Sequence, residues 1–253
     1  MANTTGKKIK DAAIIGGCAS LIYLTIGDIS YRLSLSRGGL NSKLITDMVA
    51  KSAAKKPKDE YKEKLDSMID DGADWFMHQD TEKIIIEKKH RLSLYADLIR
   101  PDKPSNVYII CIHGYTSSPA NMGIYAKKYH ELGYNVLLPS LRGHGDSEQD
   151  FITMGWNDRL DVIEWINYIA ERHPESKIIL HGVSMGAATT MMATGEKLPE
   201  NVKAAIEDCG YTSAWDILGI RLTKSIKLPR FPFLYTMGNI RVEGKKIIYQ
   251  RKD

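Results

Sequence analysis

One pentapeptide constrains the chain more than any other feature: Gly182-Val183-Ser184-Met185-Gly186, set between the apolar run Lys177 to His181 and the small-residue run Ala187 to Thr194. A short buried strand that turns at once into a helix forces its central residue into a strained backbone conformation. Glycines two before and two after that residue leave room for the turn. In this context Ser184 holds its hydroxyl clear of the backbone, as a nucleophile needs. The G-x-S-x-G pattern alone is weak, since with Gly and Ser at about 7% each it arises by chance in roughly one chain in ten of this length. Its meaning depends on what the rest of the sequence supplies.

The 253 residues, 43% hydrophobic and 26% charged, are enough for one large α/β domain. The net charge of +4 comes mainly from lysines spread along the chain, and no basic face with interleaved aromatics marks a nucleic-acid groove. Cys18, Cys111 and Cys209 lie far apart, lack C-x-x-C spacing and sit in apolar or strand-like surroundings. They read as buried thiols, neither disulfides nor metal ligands.

At the N-terminus, Ala12 to Ile26 is uncharged and apolar, preceded by Lys7, Lys8 and Lys10 and followed by Asp28 and Arg32. About 20 residues are needed to cross a bilayer core, so an uncleaved membrane anchor over 1–31 is the expectation. A cleaved signal peptide and a helix packed on the folded domain are the alternatives. Residues 32–74 form a lysine-rich connector broken at Pro57, with Leu65, Met68 and Ile69 at helical spacing.

From Trp75 onward the pattern changes. Lys83 to Lys88 and Arg91 to Arg100 read as paired strands, and Val107 to Ile112 and Asn135 to Pro139 as strands buried on both faces. Pro119 to Leu132 has helical periodicity. Trp156 to Arg172 is predicted as an amphipathic helix with Leu160, Ile163, Ile166, Tyr168 and Ile169 on or near its apolar face, and Val202 to Glu207 as a sixth strand. The alternation implies an α/β fold with a doubly wound, mostly parallel sheet.

A serine nucleophile needs N–H donors aimed at the oxygen that becomes negative. The residue after it, Met185, supplies one through its backbone. His113, Gly114, Tyr115 and Thr116 follow an earlier central strand, and the Tyr115 backbone N–H is chosen as the second. His113 reads as a strand-end imidazole that holds this loop in shape. After the next strand come Arg142, Gly143, His144, Gly145, Asp146 and Ser147.

HG after one buried strand, RGHG-x-S after the next and G-x-S-x-G after the third together resemble the α/β-hydrolase superfamily, over about Trp75 to Gly238. The likeness is greatest to the branch of monoacylglycerol lipases and prolyl aminopeptidases. With the run Glu207 to Thr212 and the N-terminal anchor, the chain resembles bacterial membrane-anchored α/β hydrolases. The resemblance implies a core over 75–210 and a helical cap over 211–238. It makes His144 and Asp146 scaffold of a loop near the site mouth. It also implies acyl transfer to Ser184 from a small-molecule ester, a lipid or a peptide, with no cofactor or metal, at a bacterial cell membrane.

In this fold the acid and then the histidine follow the serine in the chain. Asp208, at the end of the sixth strand, stands where some members place the acid. All seven histidines, at 78, 90, 113, 130, 144, 173 and 181, precede Ser184. No base is therefore available downstream. Residues 239–253 fit neither a cap nor a strand pattern, and the expectation is a C-terminally truncated hydrolase lacking its last strands and terminal helix. It is expected to turn over little or no substrate, or to serve as a non-catalytic, membrane-tethered ligand binder.

Overall fold

The structure, a computed structural model, describes residues 20–32, 34–36, 60–88, 92–147, 151–237, 241–242 and 245–246. Cys18, His90 and most of the predicted anchor, connector and tail lie outside these residues. The chain divides into two units: Asn41–Thr212, and Met1–Leu40 together with Ser213–Asp253.

The larger unit is built on a six-stranded sheet. Its strands are β1 (Glu82–Lys88), β2 (Leu92–Ile99), β3 (Val107–Ile112), β4 (Asn135–Ser140), β5 (Lys177–Val183) and β6 (Val202–Asp208), in the order β1-β2-β4-β3-β5-β6. β4, β3, β5 and β6 run parallel, while β1 and β2 pair antiparallel at one side. The central strands carry continuous apolar runs because both faces are covered. Ile109, Cys111, Val136 and Leu138 point to one side. There they pack with Ile99 and with Phe76, Met122 and Ala126, which come from α2 (Glu60–Met77), a 3-10 turn (Pro119–Met122) and α3 (Gly123–Glu131). Ile110, Leu137, Ile178 and Leu180 point to the other side and are fully buried.

Two glycines decide where α2 sits. A Cβ on Gly123 would lie 2.0 Å from the Gly72 carbonyl oxygen, so the two backbones cross in contact at a point that admits no side chain. The buried face of α2 accordingly centres on Gly72 and Phe76. Leu65 and Met68, predicted at helical spacing, are exposed at 39% and 46%.

The predicted amphipathic helix is α4 (Asp158–Arg172), and its buried apolar residues are Val162, Trp165, Ile166 and Ile169. Leu160 is 42% exposed, a correction to the predicted face. It precedes Ile169 by nine positions, about two and a half turns, and so lies on the opposite side of the helix. β5 leads into α5 (Met185–Thr194). At the far side of the sheet β6 is exposed along its length beyond Lys203, with Ile206 at 42%.

In the smaller unit, residues 20–32 form helix α1. The segment after β6 folds as α6 (Ala214–Ile220), a π-helical turn (Arg221–Ile226) and α7 (Phe233–Met237). Ser213 caps α6 by accepting from the Asp216 N–H at 3.2 Å. Arg241–Val242 and Lys245–Lys246 pair antiparallel as β7 and β8, inside the tail predicted to lack a strand pattern. Two-residue strands are too short to carry a readable period. Among the described residues no helix is long and apolar enough to cross a membrane.

Candidate functional site

Ser184 joins β5 to α5 with φ 56 and ψ −112, a conformation rarely adopted by a residue with a side chain. Three contacts hold it there. Its N–H donates to the Asp208 carbonyl at 2.8 Å, and its own carbonyl accepts from the Ala188 N–H at 3.0 Å. The third is the packing of the flanking glycines: a Cβ on Gly182 would lie 2.2 Å from the Gly186 oxygen, and one on Gly186 would lie 2.0 Å from the Ile112 oxygen. The first turn of α5 thus rests on the end of β3, and nothing larger than glycine fits between them.

That close approach also brings in the loop after β3. A Cβ on Gly114 would stand 3.4 Å from Ser184 Cβ. Gly114 accepts from the Ser117 N–H at 3.2 Å, closing a turn around Tyr115 and Thr116, and Thr116 has φ 54. Met185 begins α5 and is fully buried, and the first N–H groups of a helix have no partner within it. Ser184, Met185 and the loop carrying Tyr115 therefore converge.

Two imidazoles fix this loop. His113 donates from Nδ1 to the Gly114 carbonyl at 2.8 Å and accepts at Nε2 from the Leu141 N–H at 3.1 Å. His144 donates from Nδ1 to the Arg142 carbonyl at 2.8 Å and accepts at Nε2 from the Thr116 N–H at 3.0 Å. These partners require both rings to be neutral, and burial, with His144 alongside, pushes the His113 pKa down to about 3. Ser147 supports the second loop by donating to the Ser140 carbonyl at 2.5 Å. Arg142 makes a bidentate ion pair with the buried Asp161, its Nη2 donating to Oδ1 at 2.7 Å.

Asp208 lies at the end of β6, but its carboxylate accepts from the Tyr125 hydroxyl at 3.0 Å, toward α3. Burial, with Asp208 beside it, raises Tyr125 to about 12. One turn further along α3, Tyr129 shares a 2.9 Å hydrogen bond with His181 Nδ1, and the Tyr125 ring packs edge-on to His181 at 4.5 Å. This tyrosine–histidine–aspartate group is absent from the sequence reading. The i, i+4 spacing of Tyr125 and Tyr129 was its one available sign.

The remaining described histidines are also engaged elsewhere. His78 bonds the Asp74 carbonyl, His130 the Arg100 carbonyl, and His173 stacks on Tyr108. Among the described residues no imidazole is hydrogen-bonded to the Ser184 hydroxyl. Cys111 is buried as predicted, but Cys209 is exposed, because β6 has no neighbouring strand on its outer side among the described residues. Among the described residues no group of three or more His, Cys, Asp or Glu is arranged to hold a metal ion.

A sequence model of the alpha/beta hydrolase fold matches residues 107–226, a stretch running from β3 through the Ser184 turn to the helices after β6. The chain has the α/β-hydrolase fold. It is 28% identical over 160 residues to the uncharacterized protein YqkD of Bacillus subtilis, covering 63% of this chain and 52% of that protein. It is 31% identical over 90 residues to a thermostable monoacylglycerol lipase of a Bacillus species, covering 34% of each. An esterase of Pyrococcus furiosus superposes with a TM-score of 0.53 at 26% identity, covering 66% of this chain and 65% of that one. The chain thus spans about half or less of the length of the curated relatives it matches.

Proposed function

We propose that the chain carries the nucleophile half of a serine esterase or lipase site, with Ser184 as nucleophile and the backbone N–H groups of Tyr115 and Met185 as oxyanion donors. The observation that carries this reading is the strained Ser184 turn packed against the loop after β3. Ser184 Oγ attacks the ester carbonyl carbon, and the carbonyl π electrons move onto oxygen, where the two N–H groups stabilise them. Collapse of the tetrahedral intermediate breaks the acyl–oxygen bond and releases the alcohol. Water then cleaves the acyl-serine to the carboxylic acid. The lipase and esterase likenesses favour small-molecule esters as the substrate class.

Both steps need a group that takes the proton from Ser184 and later returns one. No histidine follows Ser184 in this sequence, and the described histidines before it are engaged elsewhere. Asp208, turned toward Tyr125, does not supply that proton transfer in this reading. The chain by itself therefore turns over little or no ester. The same observation favours a second reading, a non-catalytic ligand binder on a hydrolase scaffold.

A fluorophosphonate probe followed by intact-mass and peptide analysis tests both. Slow labelling at Ser184, lost in Ser184→Ala, is the expected result. Labelling undiminished in Ser184→Ala overturns the nucleophile assignment. Rapid stoichiometric labelling of Ser184 with ester turnover overturns the inactive reading.

A further inference from the structure

We propose that the smaller unit is an interfacial lipid-binding module that lies flat on an anionic bilayer surface through one side of α1. The first observation is the two-sidedness of this helix. On one side a Cβ on Gly27 would lie 3.0 Å from the Thr236 carbonyl oxygen, Ser30 is buried, and the Tyr23 hydroxyl donates to the Tyr235 carbonyl at 3.4 Å. That side is docked on α7. The other side exposes Leu21, Ile22, Leu24 and Ile29, at 67%, 60%, 60% and 49%. A helix passing alone through a bilayer meets lipid all round, whereas one docked on protein along one side meets it only on the other.

The polar groups on the exposed side supply the second observation. Thr25 donates its hydroxyl to the Leu21 carbonyl at 2.8 Å, and Asp28 pairs with Arg32 at 2.7 Å. Side-chain polarity on this face is satisfied within the helix, as a surface leaving water requires.

Aromatic and charged residues supply the third. Phe231 and Tyr235 are exposed at 66% and 46%, with ring centroids 5.9 Å apart, and Tyr235 abuts α1 at Tyr23. Rings of this kind concentrate where acyl chains meet headgroups. Arg221, Lys224, Lys227 and Arg230 lie in the same unit; Arg230 is within 3.6 Å of Asp216, and the sequence holds no further carboxylate from Ile217 to Met237. An apolar face on a unit that also carries these cations matches acyl chains beneath anionic headgroups. The uncharged run continuing upstream to Ala12 behind Lys7, Lys8 and Lys10 extends the same pattern in sequence.

Vesicle co-sedimentation of the full chain tests the proposal, using phosphatidylcholine alone and phosphatidylcholine with roughly a third phosphatidylserine. Binding to the mixed vesicles is expected to exceed binding to the neutral ones at least tenfold and to fall with added salt. An alkaline wash is expected to release the bound protein. Leu24→Asp with Ile29→Asp, two changes on exposed positions checked for an unchanged circular dichroism spectrum, is expected to lower binding more than tenfold, and Lys224→Glu severalfold.

Equal binding to the two vesicle types by the unaltered chain overturns the proposal without recourse to any variant, as does no binding to either. Protein that resists the alkaline wash overturns it in favour of a spanning helix. A dimer in solution that Leu24→Asp with Ile29→Asp dissolves, with no vesicle binding, overturns it in favour of a second copy of this chain.

Discussion

His113 and His144 each serve the other's loop. His113 follows β3 yet accepts the N–H of Leu141, while His144 follows β4 and accepts the N–H of Thr116, with the two rings edge-on at 4.9 Å. Two loops separated by 28 residues are thereby fixed as one piece beside Ser184. Each ring uses both nitrogens, one as donor and one as acceptor, so a change of charge on either breaks an existing bond.

Replacing His144 by alanine leaves the Thr116 N–H and the Arg142 carbonyl without their partner. Losing hydrogen bonds of this kind costs about 1–3 kcal/mol. Urea unfolding of His144→Ala is expected to show that loss, and amide exchange is expected to show faster opening at Thr116 with β1 unaffected. An unchanged Thr116 exchange rate would refute the clamp.

Acid should weaken the larger unit through His113. Its pKa is about 3 in the folded chain against an ordinary 6.5, so between these values the unfolded state binds more protons than the folded one. Stability therefore falls as pH drops from 6.5 toward 3 and is restored as pH rises. At about 1.4 kcal/mol per pKa unit the effect is on the order of a few kcal/mol. His181, lowered chiefly by burial, acts in the same direction. Thermal melts across this range, with His113→Asn expected to show a shallower slope, provide the measurement.

Gly186→Ala is expected to damage the fold and not only the site. The new methyl group would meet the Ile112 carbonyl at 2.0 Å, a backbone atom that cannot move without shifting β3. A loss of about 3 kcal/mol or more is expected, at the upper end of single-substitution effects. Gly133→Ala is the control: φ is +81 there, but no atom lies within 4 Å of the added carbon. It should cost about 1–2 kcal/mol from backbone strain alone.

Cys209 and Cys111 should separate cleanly in alkylation. Cys209 is exposed, but burial of its sulfur and the nearby Asp208 and Glu207 carboxylates push its thiol pKa up, against a lowering contact with the Ser184 backbone. Iodoacetamide is therefore expected to modify Cys209 slowly at neutral pH and faster as pH rises, since the thiolate is the reacting form. Cys111, fully buried and pushed up by that burial, reacts only on unfolding. Peptide mapping over time distinguishes them.

The strands legible in the sequence were those whose environment repeats along the chain. β3 and β4 are apolar throughout because the sheet is covered on both sides, and the Ser184 turn is marked by glycines whose spacing reflects a contact distance. Leu160 and Cys209 were misread because composition reports that a residue is apolar but not which side of a helix or edge of a sheet it occupies. The Gly72–Gly123 crossing and the Tyr125–Asp208 bond join residues far apart in sequence, and no local pattern announces them.

β3, β5 and β6 lie side by side, and each gives way within a few residues to a non-glycine residue at positive φ: Thr116 at 54, Ser184 at 56 and Cys209 at 52. Each such residue withholds about 1–2 kcal/mol from the folded state. Selection for thermal endurance alone would replace them one by one with glycine, whereas selection to keep side chains at that rim would retain them. This sequence holds threonine, serine and cysteine there, so three side chains stand at one rim of the sheet at a conformational cost that glycine would avoid.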